Sequence, residues 1–97
     1  MRFQEKVWLL IKKIPKGKVT TYKEIASALN TKAYRAVGTA CNKNPYKDVP
    51  CHRVVNNNGN IGGFARGKME KIKLLEKEGI KIINGRVDIK KYLYNFN

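Results

Sequence analysis

The sequence predicts a mainly α fold with small β elements, arranged as a winged helix-turn-helix. Two observations predict it. Two short helical segments follow each other across a tight turn, and a glycine- and asparagine-rich stretch between short apolar runs comes after them. From Phe3 to Ile14, the residues Phe3, Val7, Leu10, Ile11 and Ile14 recur at helical spacing with lysines opposite, and Pro15 and Gly17 then end the helix. Thr21 followed by Glu24 is a capping-box signature that opens a short helix through Ile25, Ala26 and Leu29, ending near Asn30. In the next helix Ala33, Ala36, Val37, Ala40 and Cys41 form one stripe, while Arg35, Thr39, Asn42 and Lys43 lie opposite with Gly38 between.

After Pro45 and Pro50, Arg53 to Val55 and Ile61 read as a short strand pair or wing with Asn58-Gly59 at its tip. A last strong helix runs from about Lys68 to Glu78, with Met69, Ile72 and Leu75 inward and Gly79 as its stop. The segment Ile80 to Ile83, then Asn84-Gly85, then Val87 and Ile89 reads as a hairpin. At 97 residues, with no internal repeat or linker, one domain over 1–97 is expected.

Composition bounds the partners. Lys and Arg number 21 against 7 Asp and Glu, a formal charge of +14 that favours polyanions. The longest apolar run, Val7 to Ile11, is far too short to span a bilayer, so nucleic acid is preferred over membrane and the fold class becomes a winged helix-turn-helix-like DNA-binding domain. The small exposed face of the second helix suits close backbone approach better than major-groove readout. Cys41 and Cys51, with no sign of export, are expected as free thiols in a reducing compartment. Their spacing, with one His beside the second, matches no structural zinc pattern, so neither metal nor cofactor is expected.

Chemistry concentrates at Pro50-Cys51-His52-Arg53-Val54, which resembles the active-site motif of the O6-alkylguanine-DNA alkyltransferases. Val19 to Tyr22, Arg35-Ala36-Val37-Gly38, Asn44-Pro45 and Glu78-Gly79 stand at that family's order and approximate spacing, so the resemblance runs from Phe3 to Ile82. It covers the catalytic domain alone; the additional N-terminal domain usual in relatives lies outside it. Read by itself, Cys51 is equally well a buried structural residue, and neighbouring side chains on an extended backbone diverge, so contact between Cys51 and His52 would need a bridge such as water. A nucleophilic role requires a thiolate, hence a base or a cationic field, and His52 is the only histidine. Glu78 leans to the inward side and sits in the final helical turn, where the helix dipole disfavours a carboxylate, so it should have a partner.

The resemblance implies a Cys51, water, His52, Glu78 network. It implies Tyr22 as guanine contact and proton donor, and Asn44 as the brace of the active-site turn. Arg35 is the finger that fills the stack left by a flipped base, with Ala36, Gly38, Thr39 and Lys43 on the DNA-binding surface. Cys51, Val54, Phe64, Ala65 and Arg66 complete the substrate pocket; many relatives have Tyr and Ser where Phe64 and Ala65 stand, and Arg66 is expected to narrow the opening. The implied partner is double-stranded DNA containing O6-alkylguanine, with O4-alkylthymine a second candidate, acted on by a cytoplasmic monomer (nucleoid-associated in a prokaryote, nuclear in a eukaryote). Two other readings are a non-catalytic alkyltransferase-like lesion-binding protein, whose members replace the reactive Cys, and a plain winged-helix regulator. The latter leaves the motif and Glu78 without a reason.

Overall fold

The computed structural model describes residues 1–64 and 66–96. Helix α1 spans Phe3–Lys12 and buries Val7, Trp8 and Ile11. It ends two residues short of Ile14, yet Ile14 is only 1% exposed, because the chain turns inward before Pro15. Strand β1 (Thr20–Thr21) leads directly into α2 (Tyr22–Ala28). The Thr21 hydroxyl accepts the Glu24 N–H at 3.0 Å, satisfying one of the amides a helix start leaves free. Asn30, at φ 55°, turns the chain toward α3 (Tyr34–Asn42), which buries Val37 and Ala40. Trp8 anchors α1 to α3, its indole N–H donating to the Ala40 carbonyl at 2.9 Å. This is the predicted helix-turn-helix.

The predicted wing is built differently. After a 3-10 turn at Cys51–Arg53, strand β2 (Val54–Val55) pairs in parallel with β1, Thr20 opposite Val54 and Thr21 opposite Val55, and does not pair with Ile61. The reason is burial on both faces: side chains alternate along a strand, so Val54 enters the core formed by α1, α2 and α3 while Val55 enters a second core with Val19, Ile61, Leu75, Ile80 and Val87. A strand needed by two cores takes an interior place, not an exposed hairpin. Asn58-Gly59 does form a turn, with the Gly59 N–H donating to the Asn56 carbonyl at 2.9 Å. The returning segment pairs instead with the C-terminal hairpin, through Val87 N–H to Gly59 at 2.8 Å and Ile61 N–H to Gly85 at 3.0 Å.

That hairpin is β3 (Ile82–Ile83) against β4 (Arg86–Val87). Asn84 at φ 53° and Gly85 at φ 73° supply the two left-handed residues its tight turn requires. Ile89, expected in the hairpin, starts the short helix α5 (Ile89–Tyr92), after which Tyr94 returns to β1 and donates to the Val19 carbonyl at 2.8 Å.

Helix α4 (Lys68–Lys77) stops as expected, Gly79 adopting φ 91° while Ile80 N–H reaches back to the Leu75 carbonyl at 3.1 Å. Its inward face is rotated from the predicted one. Met69 is 70% exposed, and the fully buried partner of Leu75 is Lys71. Lys71, Leu75 and Glu78 share a face at i, i+4 and i+7, and the lysine is tolerated there because its ammonium donates to the Val54 carbonyl at 2.6 Å and the Gly63 carbonyl at 3.1 Å. These bonds fasten α4 to β2 and to the loop before it.

Burial pulls the Lys71 ammonium down to about 8. Between pH 8 and the ordinary lysine value of 10.5, the unfolded chain holds a proton that the folded chain has released, so this group makes stability rise with pH across that window. In urea unfolding at a series of pH values, Lys71→Met is expected to remove that rise relative to wild type. An unchanged pH slope would contradict the assignment.

Candidate active site

Cys51 opens the 3-10 turn and is 7% exposed. Asn44 fixes its approach: the amide donates to the Val49 carbonyl at 2.9 Å and to Cys51 Sγ at 3.2 Å, while its oxygen accepts the Tyr46 N–H at 2.9 Å. One side chain thus holds the 44–49 loop closed and places a donor on the sulfur. The Cys41 thiol, in the last turn of α3, borders the same cavity. This neighbouring thiol is the largest influence lowering the Cys51 pKa; burial opposes it, and the Asn44 amide and the positive charge of Lys71 add to it. Cys41 moves in the opposite direction, raised by its Cys51 neighbour and by burial.

His52 and Glu78 come together at 2.8 Å, between Nε2 and Oε2. Burial disfavours the imidazolium and outweighs the attraction of Glu78, so the His52 pKa lies below its ordinary value and the ring is neutral at neutral pH. Burial likewise opposes ionisation of Glu78, but hydrogen bonds from Arg53 and His52 outweigh it and keep the carboxyl below its ordinary range. An ionised carboxylate can only accept, so Nε2 carries the ring proton and Nδ1 keeps a lone pair. Among the described residues no direct hydrogen bond joins Cys51 to His52.

Arg53, which sequence reasoning passed over, is the second partner of Glu78. Its Nε donates to Oε1 at 2.9 Å, Nη2 to Oε2 at 2.7 Å, and Nη1 to the Ile14 carbonyl at 2.6 Å. A buried arginine two positions after Cys51 fits the general rule that a buried charge needs a fork of acceptors, but nothing in the sequence names those acceptors.

Cys51, His52, Asn44, Phe64 and Arg66 line one cavity of about 330 Å³ together with Cys41. Phe64 stands edge-on to His52 with ring centroids 6.5 Å apart. Arg66 lies over Phe64, 5.7 Å from the ring centre, and bonds Glu70 at 3.0 Å, so its charge is drawn along the surface of α4. Ala65 lies outside the described residues. Val54, expected in the substrate pocket, is fully buried and its carbonyl accepts from Lys71.

Tyr22, Arg35 and Gly38 are not in that cavity. They line a neighbouring groove of about 550 Å³ with Tyr34 and Asn56 to Asn58. Burial, reinforced by the thiols of Cys41 and Cys51, raises Tyr22 to about 12, so its hydroxyl remains a donor. Ala36 and Thr39 face a different groove, beside Arg2, Phe3 and Gln4, and Lys43 is exposed at the end of α3. The predicted DNA-binding residues therefore divide between two sides of α3.

Comparison with known proteins places this arrangement. A methylated-DNA–protein-cysteine methyltransferase of Saccharolobus islandicus is 53% identical over 81 residues, covering 82% of this chain and 52% of the relative. The chain spans about half, or less, of the length of the curated relatives it matches. Among solved structures, Schizosaccharomyces pombe Atl1 in complex with damaged DNA containing O6-carboxymethylguanine is 33% identical, with a TM-score of 0.87 over 98% of this chain and 99% of that one. Mycobacterium tuberculosis OGT in complex with DNA is 41% identical, with a TM-score of 0.77 over 81% of this chain and 49% of that one. The model of the DNA-binding domain of 6-O-methylguanine DNA methyltransferase matches residues 2–80, from before α1 to just past Gly79, and the chain belongs to that family.

Proposed function

We propose that this chain, acting as one domain, repairs alkylated DNA by moving the alkyl group from O6 of guanine to Cys51, once per molecule. The observation that supports this best is the setting of Cys51: a sulfur held by Asn44 in a cavity it shares with a neutral His52 that is anchored by Glu78. His52 Nδ1 takes the Cys51 proton through a bridging water, and Glu78 keeps the imidazole oriented. The thiolate attacks the alkyl carbon; a carbon–sulfur bond forms as the carbon–oxygen bond breaks. Tyr22 gives its proton to O6, which leaves neutral guanine and an S-alkylcysteine, and the tyrosinate regains a proton from solvent as the His52 imidazolium releases the one it took from Cys51.

Duplex DNA containing O6-alkylguanine is the partner this reading requires, and the damaged base must leave the stack to reach a side chain, at a cost of a few kcal/mol. Arg35, exposed in the first turn of α3, is the residue for the vacated space. Ala36, Gly38, Thr39 and Lys43 are the other proposed DNA contacts of α3, with Ala36 and Gly38 small enough for close minor-groove approach and Lys43 suited to a phosphate. Val54, Phe64, Ala65 and Arg66 are the proposed base pocket. Among the described residues no helix is long and apolar enough to cross a membrane. The end-to-end match to Atl1 favours a second reading, lesion recognition without transfer. Cys51 argues for the first.

Incubation with a duplex carrying O6-methylguanine, followed by mass spectrometry, decides between them. One added methyl group on the Cys51 peptide, absent in Cys51→Ala, is expected; binding without any gain would establish the second reading. Arg35→Ala is expected to slow processing of duplex about tenfold or more while affecting single strands less, since only a duplex has a stack to fill; equal losses would refute the finger. Asn44→Ala removes a donor from the sulfur, so the midpoint of Cys51 alkylation by iodoacetamide should move to higher pH. An unmoved midpoint would show that the amide only braces the loop. Binding should also weaken steeply with salt, as a contact made largely through phosphates does.

A further inference from the structure

Two thiols share the active cavity, and the proposed transfer uses one. Cys41 is half-buried at the end of α3, Cys51 opens the 3-10 turn, both are free, and both face the same space of about 330 Å³. The two thiols line that one space and are near enough to act on each other's ionisation, in opposite directions. Alkyl transfer consumes one sulfur, and Cys41, whatever it does for the ionisation of Cys51, takes no alkyl group in it. Pairs of this kind suit a different chemistry. A thiol with a lowered pKa is the one oxidised first, and a neighbouring thiol can condense with the sulfenic acid before further oxygen is added.

We propose that Cys41 and Cys51 form a reversible oxidation site for small hydroperoxides, with Cys51 the sulfur that is oxidised and Cys41 the one that resolves it. In the first step the Cys51 thiolate attacks an oxygen of the hydroperoxide. A sulfur–oxygen bond forms, the oxygen–oxygen bond breaks, and the departing alkoxide or hydroxide takes a proton, leaving Cys51 as a sulfenic acid. In the second step the Cys41 sulfur attacks the Cys51 sulfur. A disulfide forms, the sulfur–oxygen bond breaks, and the hydroxyl leaves as water with the Cys41 proton. The hydroperoxide is reduced by two electrons, and the two thiols together supply them. An external thiol reverses the product by exchange, returning both residues to the reduced state. The disulfide would occupy the sulfur that the alkyl group needs, so the oxidised chain is protected from irreversible sulfinic acid and closed to substrate. The site holds whether or not Cys51 accepts an alkyl group, because its readout is the redox state of the two sulfurs.

The test treats the reduced full chain with hydrogen peroxide in the absence of DNA and follows intact mass and digested peptides. The expected result is a loss of two hydrogens, a peptide joining the Cys41 and Cys51 segments, and full recovery of the starting mass with dithiothreitol. Cys41→Ala should instead gain oxygen on Cys51 and fail to recover, and the near-isosteric Cys41→Ser should do the same if the alanine variant does not fold. Absence of the joined peptide from wild type, or the same irreversible oxygen addition in wild type and variant, would overturn the proposal.

Discussion

Glu78 joins three parts of the chain that are far apart in sequence. Its two oxygens receive Arg53 and His52 from the 3-10 turn, and Arg53 passes the connection on to the Ile14 carbonyl beyond α1. The conformation of the turn therefore depends on a carboxylate at the end of α4. Both side chains of the Arg53–Glu78 pair are about nine-tenths buried, a regime in which removing one partner strands the other charge at a cost of about 3–5 kcal/mol. The bidentate fork repays that desolvation with directional bonds, and His52 then shares Oε2 with Arg53. Orientation of the imidazole is accordingly inseparable from the guanidinium that holds its acceptor.

The electrostatics of the cavity follow from that arrangement. With Arg53 neutralising Glu78 and burial acting on the ring, His52 stays neutral, so it adds no positive charge to the cavity. Positive charge near Cys51 comes from Lys71, a residue inside the core, and the remaining lowering comes from the neighbouring Cys41 and from the Asn44 amide. The net charge of +14 is carried mostly by other residues and favours attraction of a polyanion. Reactivity and long-range attraction are thus assigned to different sets of cations.

The sequence made much of this legible, and the parts it hid share a cause. Helical spacing and the Thr21–Glu24 capping signature located the three helices of the first core, Gly79 marked the end of α4 and Asn84-Gly85 the hairpin turn, and a carboxylate placed against the helix dipole pointed to a partner for Glu78, which is His52 together with Arg53. Lys71 was invisible because a charged residue counts as outward in any periodic pattern; its burial is decided by two carbonyls from distant segments. Arg53 stood in the recognised motif, but its acceptors lie 25 and 39 positions away. Strand β2 is two residues long, too short to show a period, and its parallel partner precedes it by two helices, so a local hairpin was the natural reading. Each miss is a non-local contact that overrode a local preference.

Helix α3 contributes residues to both cavities. Arg35 and Gly38 face the groove that Tyr22 lines, while Cys41, one turn further on, faces the cavity of Cys51. A Cβ added at Gly38 would meet the Tyr22 ring at 4.0 Å, an ordinary van der Waals contact. Tyr22 is close enough to the thiols for their charge to raise its pKa, although its ring lines the other side. In the run Arg35-Ala36-Val37-Gly38, the arginine and the glycine line the groove with Tyr22, the valine fills the core and the alanine faces a different groove, so it is Gly38 that lets α3 approach the Tyr22 ring of α2.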